Sequence, residues 1–538
     1  MPDGGHPTNC GVSYSKEIKE FCVKSIIIFL LAFVLFTLPI SAQSGLQGKL
    51  QTIFQQYNLV GISVSVLKHD SLVFSGALGK RDIARNLPMT DGTVYRIASI
   101  SKMISAIAAM QLYEQGLFSL HEDISAKLGF TLRNPAFPNT VITPAMVLNH
   151  TAGLRDGSGY SPFLSATASN PVPDISRLVQ AGGSYYTADM WDQTRVPGTY
   201  FNYANINYGI IGTLIEKVSG KRFDVYCRDH ILAPLGISGS FNIHDLPDIN
   251  QLAVLYRKSG SSWNPQLDNY GGVKPPPRDL SGYTIGKNGL IFGPQGSLRI
   301  STKDLGTITK MFMSGGRVGA VRILQDSTVQ RMMTMNWTYN GSSTGNNYSG
   351  IFNSYSQGMH FTTALLPGES LYGHPGEAYG LISDCYFSKN KKYAIVFATN
   401  GGVWGNGNYS GWYNLEEDVF KACFAELPNF IVSAEDIDPA PSQFTLNQNY
   451  PNPFNPLTTI SFYAPYSCTV QCRITDVLGT VVYEELIEHA GGAGSIQWNG
   501  VNSSGVNVTS GVYLYRITVS SRGSGNAAHY TGKAVLLR

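Results

Sequence analysis

Charge is scarce in this chain. Asp, Glu, Lys and Arg make up 14% of its residues and nearly cancel, leaving a formal net charge of +3. So small a balance, with no basic stripe carrying interleaved aromatics, lacks the electrostatic footprint of a nucleic-acid binder. No long block of charge occurs either, and with apolar residues at 43% there is ample core-forming material, which argues against disorder and coiled coil. Cysteine is equally sparse. Of seven, Cys10 and Cys22 precede an N-terminal apolar run and are expected to leave with it, leaving Cys227, Cys385, Cys423, Cys468 and Cys472 scattered. These form neither a disulfide framework nor a metal pattern. Cys468 and Cys472 would share one face of a strand about 13 Å apart, too far to bond each other, so buried thiols are expected. Metal-ligand spacings and a phosphate-cradling Gly-x-x-x-x-Gly-Lys are also missing, and no cofactor is implied.

What is present begins with an address. Lys16, Lys19 and Lys24 precede an apolar run from Ser25 to Ile40, closed by Pro39 and the small residues Ser41 and Ala42. The run is short for a membrane span and its exit suits cleavage, so residues 1–43 are expected to be a signal peptide, with no stable transmembrane anchor. At 538 residues the chain exceeds what one core usually serves, and two or more folded units are expected.

From Leu59 to Leu78 the text alternates as a hairpin around His69 and Asp70. Helical periodicity then dominates, with Ser99–Gln115 stopping at Gly116 and Asn205–Val218 before Gly220. Strands return at Leu381–Phe387 and Tyr393–Thr399, and a helix over Asn414–Leu427 closes the unit. Strands at both ends and helices between predict one antiparallel sheet made from the two ends of the domain, with a largely helical insert. Near Ala434 the composition shifts to Asp, Glu and Pro, which predicts a linker over residues 431–443. Beyond it, short strands at Thr458–Phe462, Thr469–Thr475, Val481–Leu486 and Val512–Val519 predict a small β-sandwich over residues 444–538.

The constellation that carries chemistry is Ser99-Ile100-Ser101-Lys102. A serine hydroxyl needs a base before it attacks, and residues three apart on a helix share a face. A helix start and burial both disfavour the ammonium, which would give Lys102 a neutral fraction able to take the proton. Thr93 to Lys102 resembles the nucleophile segment of the β-lactamase-related serine hydrolases, the family of class C β-lactamases and D-alanyl-D-alanine carboxypeptidases. Ile142 to Leu154 resembles that family's helix and turn beside the site, and Pro197 to Asn205 its Tyr-x-Asn segment. By that resemblance Tyr203 is the second proton-transfer residue, its ionised form favoured by the neighbouring ammonium, and Asn205 contacts the substrate's acyl-side amide.

Gly373-His374-Pro375-Gly376-Glu377 falls where the family carries Lys-Thr-Gly or His-Thr-Gly on a sheet edge. The resemblance places His374 in the basic position, makes Gly376 part of the substrate-binding edge, and assigns the oxyanion hole to the backbone N–H groups of Ser99 and Glu377. Pro375 departs from the pattern: it has neither the hydroxyl nor the N–H that help hold a substrate carboxylate. His150 reads as a structural histidine at a helix end. The Gly-rich turn Gly293–Ser297 resembles a loop near the family's site and is assigned no role.

Phe444 to Pro456, with later Asp476–Gly479 and Ser510–Arg516, resembles a type IX secretion C-terminal sorting domain. The expected fold is therefore α/β (α+β), a β-lactamase-like antiparallel sheet with helical insert followed by a small C-terminal β-sandwich. The expected protein is secreted or held at the cell surface, meets the secretion machinery through its last domain, and hydrolyses esters, amides or peptide bonds of small substrates through an acyl-enzyme. A class C-type β-lactamase or carboxypeptidase is the neighbouring alternative. A catalytically silent binder of cell-wall peptides is the alternative of another kind.

Overall fold

The alternation at residues 59–78 forms two antiparallel strands, Gly61–Lys68 and Ser71–Asp82, joined at His69 and Asp70. The computed structural model describes residues 45–430, 444–446, 448–464, 467–490, 492–521 and 527–538; the expected signal peptide and linker lie outside the described residues. The chain divides between Asp436 and Ile437 into two compact units.

In the first unit nine strands make one antiparallel sheet, and its middle runs Leu371–Ala378, Leu381–Ser388, Tyr393–Thr399, Gly61–Lys68, Ser71–Asp82. The first and last strands of the unit lie side by side, with Ile62 opposite Thr399 and Lys68 opposite Tyr393. Both faces are covered, and the Tyr393–Thr399 strand accordingly reads as a near-continuous apolar run. Ala394, Val396 and Ala398 face the helical insert, whereas Ile395 and Phe397 face a second core built with the helix at residues 45–56 and the Asn414–Glu426 helix. Polar side chains on the insert face find partners there: Ser63 Oγ lies 2.8 Å from Tyr95 Oη and Ser65 Oγ donates to Thr302 Oγ1 at 3.1 Å.

The Ser101–Glu114 helix is buried from Ser101 to Leu112. A helix buried on every side belongs in the middle of a core, and this one packs against the Ile206–Ser219 helix, while the Thr302–Met313 helix lies on the sheet. That second helix ends at Gly220, whose φ of +67° closes it in the left-handed conformation.

The second unit has a three-stranded sheet containing Thr458–Ala464 and Gly492–Trp498, and a four-stranded sheet containing Cys468–Thr475, Val481–His489, Gly511–Ser521 and Ala527–Leu536. Alternate residues of both sheets, among them Ile460, Phe462, Ile474, Trp498 and Ile517, enclose one core, the arrangement of a small sandwich. Cys468 and Cys472 are free and buried, like Cys227, Cys385 and Cys423.

Candidate active site

Ser99 stands in a 3-10 turn, Ala98–Ile100, that runs directly into the Ser101–Glu114 helix. Ala98 has a φ of +48°, a conformation that costs a side-chain-bearing residue of order 1–3 kcal/mol and persists only where its surroundings enforce it. They do so here by hydrogen bonds. Ile97 N–H donates to Leu298 O, Leu298 N–H donates to Ser101 Oγ, and Ser383 Oγ lies 3.2 Å from both Ile97 O and Gly376 O. Ser99 is thereby held half-buried in the turn ahead of the helix rather than within it.

Lys102 lies one turn further and is fully buried. Its Nζ is 3.1 Å from Ser99 Oγ, and it donates to Asn205 Oδ1 at 2.9 Å and to Gln295 O at 2.8 Å. Burial lowers its pKa to about 7, against the opposing pull of Asp156. A neutral amine has two N–H bonds. With Asn205 and Gln295 taking both, its lone pair is left for the Ser99 proton. Gln295 belongs to the turn to which the sequence assigned no role; its backbone carbonyl fixes the position of Lys102 Nζ.

Asn205 is engaged at both ends, since its Nδ2 donates to Asp156 Oδ2 at 2.9 Å. Asp156 also accepts from Asn205 N–H and Ile206 N–H at 2.8 and 2.9 Å, and so caps the start of the Ile206–Ser219 helix from a remote loop. It places a carboxylate behind Lys102, through Asn205, and no local sequence signal marked it.

Tyr203 is near Ser99 but is not the ionisation-prone phenol expected. Burial, the larger effect, pushes its pKa well above the ordinary value, while the Ser99 hydroxyl favours the ionised form more weakly. Lys102 Nζ sits over the ring, 4.8 Å from its centroid, and so faces its π-system. The Tyr203 hydroxyl is buried without a hydrogen bond of ordinary geometry, and it stands ready as a protonated donor. His150, with a φ of +61°, packs its ring 4.4 Å from the Tyr203 ring and uses Nδ1 to accept from Ala204 N–H at 3.2 Å. That is a supporting position.

The Leu371–Ala378 strand pairs with His360–Thr362 only over its first residues, which leaves an open edge beside the Ser99 turn. Pro375 has no N–H to give the ladder, so it must face that edge, and Glu377, two residues on, turns its own N–H the same way. Gly376 lies between them. A Cβ there would meet Ile97 O at 2.4 Å and Ser383 Oγ at 2.5 Å, so only glycine lets the strand approach the nucleophile turn this closely. The Glu377 side chain pairs instead with Tyr413 Oη at 3.3 Å.

His374 departs from its expected basic role. It is fully buried; its Nδ1–H donates to Pro375 O at 2.6 Å, and Nε2 accepts from Tyr355 Oη at 2.9 Å. Burial, reinforced by Lys102, drives its pKa well below the usual histidine value. A neutral imidazole with both nitrogens occupied offers a substrate carboxylate no positive charge.

A serine beside a buried lysine, on a turn facing an open strand edge, is the arrangement of a serine hydrolase. Residues 46–418 match the Beta-lactamase family model, and the chain belongs to that family. Residues 448–525 match the model of the secretion system C-terminal sorting domain. The "Protein flp" of Staphylococcus aureus (strain MW2) is 24% identical over 181 residues, 34% of this chain and 34% of the relative, so the match spans about a third of that protein's length. Among solved structures, the octameric penicillin-binding protein homologue from Pyrococcus abyssi aligns with a TM-score of 0.54 at 19% identity, covering 83% of this chain and 98% of its own. The D-amino acid amidase from Ochrobactrum anthropi SV3 aligns with a TM-score of 0.53 at 19% identity, covering 72% and 99%. At these identities the likeness concerns the fold. Among the described residues no helix is long and apolar enough to cross a membrane.

Proposed function

We propose that the chain is an exported hydrolase that cleaves small esters and uncharged amides through an acyl-enzyme on Ser99. The observation that carries this reading is the commitment of both N–H bonds of neutral Lys102 to Asn205 and Gln295, which leaves its lone pair for Ser99. Lys102 takes the proton as Ser99 Oγ attacks the carbonyl carbon, and the N–H groups of Ser99 and Glu377 hold the oxyanion. Tyr203, a protonated phenol, donates to the leaving group and regains a proton from the Lys102 ammonium; water then attacks the acyl carbon with the neutral Lys102 again taking the proton, and that proton passes to the departing Ser99 oxygen as the acid is released. Asn205 orients the base in this reading, and its second amide hydrogen remains for the substrate's acyl side. The C-terminal domain hands the protein to the secretion machinery, for release or display at the surface.

The substrate preference follows from the strand edge. Pro375 supplies neither hydroxyl nor N–H and His374 is neutral, so a carboxylate drawn into this edge lacks donors worth about 1.5–3 kcal/mol each. That disfavours penicillins, cephalosporins and peptides presenting a carboxylate there. Comparing kcat/KM for a short-chain nitrophenyl ester, a D-alanyl amide and a chromogenic cephalosporin at neutral pH tests the preference. The ester or amide should lead; a cephalosporin preferred tenfold or more returns the protein to the β-lactamase reading.

A further inference from the structure

If the strand edge cannot hold an anion, charge elsewhere near Ser99 gains importance. A cleft of about 510 Å³ opens in the helical insert beside the nucleophile segment, lined by Arg96, His244, Arg278, Asp279, Ser297 and Arg299 among others. Its volume lies in the range of small-molecule sites. Arg96 ties the cleft to the catalytic turn: three residues before Ser99, it donates from Nε to Gly296 O at 3.0 Å and from Nη2 to Ser297 Oγ at 2.8 Å. Those acceptors lie in the same turn whose Gln295 carbonyl orients Lys102.

The charge of the wall is unbalanced. Arg299 is matched by Asp268, which accepts from it at 2.7 and 3.1 Å. Arg96 and Arg278 ion-pair with no carboxylate among the described residues; the exposed Arg278 donates to Thr167 O, and Arg96 lies over the Tyr379 ring at 5.5 Å. Against them stands Asp279, whose carboxylate is already engaged by Asn170 Nδ2 and Ser281 N–H. His244 Nε2 is buried with no hydrogen-bond partner. Unpaired guanidiniums and an unsatisfied ring nitrogen around one cleft match the donors that a planar anion takes.

We propose that this cleft is an anion subsite that binds a carboxylate carried on the acyl chain of the substrate, at a distance from the scissile bond. Among esters and amides that bring no charge to the strand edge, the preferred ones are then those whose acyl chain ends in a distal carboxylate, half-esters or half-amides of dicarboxylic acids, and anion recognition has moved from the strand edge to the Arg96–Arg278 cleft. This rests on the acyl-enzyme reading above.

The test is a series of mono-nitrophenyl esters of succinic, glutaric, adipic and pimelic acids, each compared with the neutral ester of the same chain length. At one or more lengths the carboxylated ester should be favoured in kcat/KM by roughly 10- to 100-fold. Arg278→Gln should collapse that ratio, Arg278→Lys should restore part of it, and rising ionic strength should shrink it. A ratio near one at every length, or a ratio untouched by Arg278→Gln, overturns the proposal. Calorimetry of Ser99→Ala with the free dicarboxylates separates the two readings. Arg278-dependent binding without turnover of any ester by the wild type would uphold the subsite and sink the acyl-enzyme reading.

Discussion

Asp156→Asn should move the acid limb of the pH–rate profile to lower pH. Lys102 must be neutral to accept the Ser99 proton, so kcat/KM for a neutral ester should rise with pH through about 7, where burial has placed its pKa. Asp156 opposes that depression. Asn205 bridges the two groups at 2.9 Å on each side, which sets the charges roughly 7 Å apart, and at an effective dielectric of about 20 their attraction is roughly 2 kcal/mol. Asp156 is exposed, so solvent screening trims this to about 1 kcal/mol, a shift of roughly half to one unit. Removing the carboxylate makes the ammonium less favourable still, and the variant should keep a larger share of its plateau rate at pH near 6. Asparagine is itself a good helix cap, so the Ile206–Ser219 helix should hold and thermal stability should change little. A limb that stays in place, or moves to higher pH in a folded variant, would refute Lys102 as the base whose titration limits the rate.

Three further outcomes follow from the same geometry. Tyr203→Phe should slow amide hydrolysis by roughly 10²- to 10⁴-fold and nitrophenyl ester hydrolysis far less, because nitrophenolate leaves without a proton; steady-state kinetics on both substrates decide it. Gly376→Ala should cost about 10²-fold in kcat, since a Cβ 2.4 Å from Ile97 O displaces the strand edge from the nucleophile turn. On the other face of the sheet, burial holds Asp384 well above the ordinary carboxylate range and raises its neighbour Glu416 to about 8. The folded state therefore keeps protons that the unfolded chain releases, and the stability they contribute is lost as pH rises from the carboxylate range through about 8. Asp384→Asn should lose less melting temperature than the wild type between pH 5 and pH 8.

Much of this was readable in the residues. The Tyr393–Thr399 strand and the Ile206–Ser219 and Asn414–Glu426 helices fell within a residue or so of their expected places, because each has one clear period and a recognisable stop. The Leu371–Ala378 strand carries no strand signal of its own and is reached only through the resemblance, which sets Gly373–Glu377 on a sheet edge: Gly373, Pro375 and Gly376 carry turn chemistry, and only the neighbouring ladder and the packed nucleophile turn hold them extended. Gly492–Trp498 and Ala527–Leu536 were missed for a similar reason, their small residues having weak strand preference. At the site, the Ser99–Lys102 spacing survives as a contact of 3.1 Å. Tyr203 and His374 differ from their expected states because protonation depends on burial, and neither the depth of the aromatic wall nor the position of Lys102 over a ring is written in local spacing. Asp156 lay beyond reach for the same reason, since it caps a helix whose start is 49 residues away.

The central claim is that Ser99 becomes acylated with Lys102 as its base. Incubating the protein with a fluorophosphonate at pH 8 and mapping the adduct by peptide mass spectrometry tests it most directly. The account predicts one covalent adduct on the peptide containing Ser99, absent in Ser99→Ala and formed at least ~10²-fold more slowly in Lys102→Ala. An adduct on a different residue, no adduct at all, or labelling of Lys102→Ala at the wild-type rate would contradict it.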